Sequence, residues 1–119
     1  MERGAQSGSN GLSPVRKGAL AKDFGLKDQL RRAAVSVMTN IAEGFDCDSG
    51  LEFTRFLGIV RRSAVEVQSL LYAVLDVRYI TQAESDEHYE QARKAKALAG
   101  GFKRSLIKKH ASRTQGERI

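Results

Sequence analysis

Apolar residues in the first half of the chain recur every three or four positions. Leu26, Leu30, Ala33, Ala34, Val37, Met38, Ile41, Ala42 and Phe45 make one stripe, while Lys27, Asp28, Arg31, Arg32, Thr39 and Asn40 fall off it. That period predicts an amphipathic helix, closed by Gly44 and the Asp-Cys-Asp-Ser-Gly run at 46–50. A second stripe, Phe53, Phe56, Leu57, Val60, Ala64, Val67, Leu71 and Val74, predicts a longer helix ending near Arg78. Ile59, Val65, Leu70 and Leu75 widen its apolar face, which implies burial on two sides, inside a bundle and against another subunit. A third stripe runs through Tyr89, Ala92, Ala95 or Lys96, Ala99, Phe102 and Leu106. Gly100-Gly101 interrupts it, so either the helix bends there or another backbone comes close.

Start signals agree with these stripes. Ser49-x-x-Glu52 and Thr81-x-x-Glu84 both read as capping boxes, in which a hydroxyl accepts from a free backbone N–H and the glutamate reaches back. Ser13-Pro14 also marks a helix start, but the stretch after it is short and holds Gly18, so only a weak helix is expected. The expected domain layout is a flexible tail over 1–12, a helical bundle over 13–110 and a flexible tail over 111–119. The fold class is all-α: an antiparallel up-down bundle of three strong helices plus a weak N-terminal one, homo-oligomeric. Short connections force sequential helices to be neighbours. Folding the first strong helix back along the second places Arg32 near Glu66 and Glu43 near Arg55, and interhelical ion pairs are expected there.

Composition narrows the class. At 119 residues and one cysteine, the chain is one domain without a disulfide framework. The longest apolar run is six residues, Leu70 to Leu75; a membrane helix needs about 20, so no spanning segment is expected. The opening residues lack an apolar signal region, and a cytoplasmic location is expected. The net charge of +6 is uneven: +3 over residues 1–22, −5 over 23–90 and +8 over 91–119. An acidic body with a basic C-terminal segment points to contact with a polyanion.

Candidate chemistry is sparse. Glu84, Glu87, His88 and Glu90 lack the paired Glu-x-x-His spacing of a bundle metal site. Cys47 sits between two acids that disfavour its thiolate, and Ser36 and Ser63 have no candidate base. No enzymatic activity, cofactor or metal is therefore expected. The basic set is Arg93, Lys94, Lys96, Lys103, Arg104, Lys108 and Lys109 on the last helix, with few aromatics among them. Such a set contacts phosphates rather than stacking bases. RNA or DNA is the expected partner; the alternative is a protein partner, with the basic residues serving solubility.

One segment carries more than amphipathic pattern. Gly25-Leu26-x-x-Gln29-Leu30-Arg31-Arg32-Ala33-Ala34, then Ser36, then Asn40-Ile41-Ala42-Glu43-Gly44, closely resembles the four-helix-bundle family of proteins encoded in intervening sequences of 23S ribosomal RNA genes. Glu52-Phe53-x-Arg55-Phe56-Leu57, Ser63-x-x-Glu66 and Tyr79-Ile80 continue the resemblance. It implies an all-α bundle that forms a homopentamer, related to the nucleic-acid-binding accessory variability determinant of diversity-generating retroelements. Within the signature, Asn40 is expected to bond a neighbouring backbone. The sequence departs from the family pattern at Met38, at Asp46-Cys47-Asp48, at Arg62, and in its reduced first helix.

Overall fold

A computed structural model describes residues 14–117. It holds four helices among them: α1 (Ala19–Lys22), α2 (Phe24–Asp46), α3 (Gly50–Asp76) and α4 (Gln82–Glu117). The start signal at Ser13 and the tail over 1–12 lie outside the described residues. Pro14 is not helical, and the weak N-terminal helix is a single turn. Helical backbone in α4 continues to Glu117, through seven residues assigned from the sequence to a tail. That stretch holds neither proline nor a turn-forming run, and extending an existing helix fixes one residue per hydrogen bond gained.

The helix starts are chemical. Asp23 Oδ1 caps α2 by accepting from Leu26 N–H at 3.1 Å. Ser49 Oγ caps α3 by accepting from Glu52 N–H at 2.9 Å. The Thr81 box closes in both directions: Glu84 N–H donates to Thr81 Oγ1 at 3.0 Å, and Thr81 N–H donates to Glu84 Oε1 at 2.8 Å. The α3 terminus is a Schellman turn, with Tyr79 N–H donating to the Val74 carbonyl and Arg78 N–H to that of Leu75. Arg78 occupies its left-handed position, φ 64°, where glycine is the usual residue.

Both long neighbours pack along α3. Val60, Ala64 and Val74 are fully buried, and Leu57 and Leu71 nearly so. Burying each large aliphatic side chain stabilises by about 1.5–3 kcal/mol. Much of the wide apolar face of α3 is used within the chain, against α2 on one side and α4 on the other, while Val65 stays 46% exposed. The molecule measures 73 × 28 × 15 Å, about three helices wide. At one end Phe45 of α2, Phe53 of α3 and Phe102 of α4 meet, with ring centroids 5.4 to 6.2 Å apart. At the other end, Leu30 and Ala34 of α2, Val67 and Leu71 of α3, and Ile80 and His88 line an apolar trough of about 360 Å³. Met38 and Phe45 lie on the predicted α2 stripe yet are more than half exposed.

The α2–α3 register is set by small groups. Ser36 and Ser63 hydroxyls bond each other at 2.7 Å. Asn40 Nδ2 donates to the Ser36 carbonyl, one turn back on its own helix, at 2.8 Å. Gly44 is buried against Phe53 and Phe56. The two expected interhelical ion pairs do not form among the described residues. The Ser36–Ser63 bond sets Arg32 opposite Val67, not Glu66, and Glu43 opposite Phe56, not Arg55. One residue along a helix is a rotation of about 100°, so Glu66 and Arg55 turn outward and are exposed. Arg32 instead pairs with Asp28 of its own helix at 3.3 Å, and Arg55 lies over the Phe56 ring at 4.8 Å.

Two predictions test this framework. A methyl at Gly44 would lie 3.0 Å from Phe53 Cδ1 and 3.2 Å from Phe56 Cβ. Gly44→Ala should therefore destabilise the fold by about 1–3 kcal/mol through overpacking, despite alanine's better helix propensity. Urea unfolding measures this, and an unchanged or higher midpoint would contradict the close approach.

The second concerns the chain entry. The Tyr79 hydroxyl donates to Asp23 Oδ2 at 2.9 Å, Arg16 lies over the Tyr79 ring, and Arg16 N–H donates to the Arg78 carbonyl. The Leu26 N–H and then the Tyr79 hydroxyl hold the Asp23 carboxyl below its ordinary value; partial desolvation opposes them and Arg16 adds to them. A depressed carboxyl stabilises the fold above its unfolded pKa of about 3.9, and that contribution is lost as pH falls through the lower folded value. Tyr79→Phe should lower the melting temperature at neutral pH and shrink the acid-side loss. Equal acid dependence in both proteins would remove Tyr79 from this linkage.

Candidate nucleic-acid interface

The basic residues of α4 do not share one environment. Arg93 is held by Glu90, whose two carboxylate oxygens accept from Nε at 2.8 Å and from Nη2 at 2.6 Å. That contact raises the Arg93 pKa and lowers that of Glu90, and it leaves the Arg93 charge locally compensated. Lys94 is exposed. Lys96 is half-buried and donates to Oε1 of the buried Gln68 at 3.3 Å. An amide anchors the ammonium without neutralising it. Lys103 is half-buried, and Arg104 and Lys108 are exposed. Lys109 lies on α4, but its side chain is outside the described residues.

What sequence reading missed is the contribution of α3. Arg55, Gly58 and Arg62 of α3 and Lys103 of α4 line a shallow groove of about 590 Å³, with Ser49 and Thr54 at its α3 N-terminal end. Its continuation of about 380 Å³ is lined by Arg61, Arg62, Val65, Lys96 and Lys103. Five basic side chains therefore face one furrow from two helices, against a single acidic lining residue, Glu52. Gly58 leaves the floor open, since a methyl there would meet only Arg62 Nη1, at 3.7 Å.

Gly100 explains how α4 joins this surface. The helix runs through Gly100-Gly101 without interruption. No approaching backbone surrounds Gly100: the atoms nearest to its missing methyl belong to two arginines. A Cβ there would lie 3.3 Å from Arg104 Nη1 and 3.8 Å from Arg61 Nε. Two guanidiniums thus crowd over one bare Cα. Among the described residues no carboxylate lies within ion-pair distance of Arg61, Arg62, Lys96, Lys103 or Arg104; the pairs formed are those of Arg31 and Arg32 with Asp28 and of Arg93 with Glu90.

The remaining signature residues lie elsewhere. Gln29, Arg31, Arg32 and Glu43 are exposed on α2, and Glu66 on the outer side of α3. Asn40 and Gly44 belong to the α2–α3 contact described above. Only Arg55 of that set reaches the groove. The signal available beforehand was Arg62, one of the positions at which the sequence departs from the resembled family pattern; Arg61 beside it carried none.

A family model described as 23S rRNA-intervening sequence protein matches residues 15–101. The chain belongs to that family. The match spans α1, α2, α3 and the first half of α4, and so includes every groove residue except Lys103. This member of the 23S rRNA-intervening sequence protein family shows no match to curated proteins or to solved structures. No helix among its described residues is long and apolar enough to cross a membrane.

Proposed function

We propose that this protein is a non-catalytic accessory scaffold that binds nucleic acid, built as an up-down antiparallel bundle and assembled as a homo-oligomer, a pentamer being the expected form, in the cytoplasm. One observation carries the nucleic-acid reading: arginines of α3 and lysines of α4 face the same furrow, and no carboxylate among the described residues compensates Arg61, Arg62, Lys96 or Lys103. Uncompensated positive charge at high density attracts a phosphate backbone and releases its counterions on binding. Lys103, Arg104 and Lys108 are the α4 phosphate contacts in this reading, with Lys109 as the next basic residue along the chain. Self-association rests on apolar side chains of α2 that the chain leaves uncovered: Met38 is 63% exposed and Phe45 62%. The same surface supports the second reading, an interaction module for another protein.

Fluorescence anisotropy with structured RNA and with duplex DNA, titrated across salt, tests the lead reading. Binding should weaken with salt at a slope of about 0.7–0.9 per phosphate neutralised, and Lys103→Glu with Lys108→Glu should weaken it further. Unchanged affinity in that variant, or no binding at low salt, would favour the protein-partner reading. Light scattering gives the mass in solution; a monomer at micromolar concentration would overturn self-association.

A further inference from the structure

We infer that the α3/α4 furrow takes the phosphate ridge of a base-paired duplex rather than a flexible single strand, with the α3 arginines as its principal contacts. This rests on the nucleic-acid reading above and specifies its ligand.

Three observations lead there. The furrow offers charge and hydroxyls but no aromatic lining: it holds Ser49, Thr54, Gly58, the single acid Glu52 and basic side chains, and its apolar members are the aliphatic Leu51 and Val65. The nearby aromatic rings are already engaged: Phe56 lies under the Arg55 guanidinium, Phe45, Phe53 and Phe102 pack on one another, and Tyr72 packs on Tyr89. A single strand gains much of its binding energy from bases stacking on aromatic side chains, about 1–3 kcal/mol per base. Without such a platform, its bases would stay in water and its flexible backbone would have to be ordered by phosphate contacts alone. A duplex arrives with its bases already stacked on each other and its phosphates fixed along a stiff ridge, so charge contacts suffice.

The second observation is direction. The lining runs along α3 from Ser49 to Val65 and along α4 from Lys96 to Lys103, so the furrow follows the helix axes. At 1.5 Å per residue, the α3 side is about 24 Å long. An open channel of that length accepts a rigid ridge lengthwise. The third is the crowding of Arg61 and Arg104 over Gly100. Both side chains reach toward the same point of the α4 backbone, so a phosphate bound there meets two positive charges at once. Guanidinium also presents paired N–H donors that match two phosphate oxygens, which an ammonium does not. Arg93, by contrast, already spends that fork on Glu90.

The test uses the full chain, one mixed-sequence duplex each of DNA and RNA, and an unstructured thymidine oligonucleotide of equal length. Anisotropy titrations are run at several salt concentrations. The duplexes should bind about tenfold or more tightly than the single strand. Arg61→Ala with Arg62→Ala should weaken duplex binding and lower the salt slope by about 2, one for each phosphate no longer neutralised. Arg31→Ala, on α2 and away from the furrow, should change neither. Both arginines are exposed, and circular dichroism confirms that the variants keep their helices; Arg61→Lys with Arg62→Lys keeps the charge and should recover part of the affinity. Equal or tighter binding of the thymidine strand would overturn the inference. So would a full loss from Lys103→Glu with Lys108→Glu beside wild-type binding by the α3 variant; the nucleic-acid reading would then stand while its ligand assignment fell. Failure of every probe to bind would overturn both.

Discussion

Helix α3 has to be covered from two sides at once, and the rest of the molecule follows from that demand. Its apolar positions exceed one face, and a helix with so broad a face reaches water-free surroundings only between two partners. The chain supplies both: α2 arrives before it and α4 leaves after it, each through a connection of a few residues. Val60, Ala64 and Val74 become inaccessible because neighbours close over them from opposite sides. With α3 in the middle, α2 and α4 are held apart along much of their length and meet at the Phe45–Phe102 end. The apolar trough at the opposite end and the exposure of Met38 and Phe45 are the consequence: these side chains sit on the correct stripe, but the helix that would cover them is not supplied by residues 14–117.

The same central position gives α3 its second role. Residues on its remaining outward edge necessarily stand beside the outward residues of α4. Arg61 and Arg62 occupy that edge, and Lys96 and Lys103 meet them across the furrow. Electrostatic repulsion between these groups is tolerable because they reach water at the open side, where the effective dielectric is high. Gly100 lets Arg61 and Arg104 lie close to the α4 backbone, where a larger side chain would push them outward. A helix-weakening glycine is thus retained at a place where its missing side chain is filled by arginine nitrogens.

How much could be read beforehand depended on range. Both capping serine and threonine hydroxyls, the ends of α2, and the bond from Asn40 to a backbone carbonyl arise from residues within four positions of each other, and local pattern reaches them. The ion pairs of Arg32 with Glu66 and of Glu43 with Arg55 required a register correct to a single residue. Helix pairing read from loop length is good to about one turn, whereas one residue already rotates a side chain by about 100°. The hydroxyl pair Ser36–Ser63 and the close seat of Gly44 on Phe53 and Phe56 decide that last residue, and neither is a periodic signal. The α4 lysines were legible as a charge run; Arg61 and Arg62 were two charges among many in an acidic body.

The sequence by itself determined that the chain is helical, that α3 and α4 begin at capping boxes, and that it belongs to the family whose signature runs through α2. Periodicity, capping and short connections settle these points because each is a local or additive property. Tertiary structure alone decided which charges of different helices share a surface. Arg61 and Lys96 are 35 positions apart and share a furrow, while Arg93, three positions from Lys96, is turned to Glu90. Electrostatic contact depends on distance in space, and only the packing of α4 on α3 converts two separated charge sets into one surface.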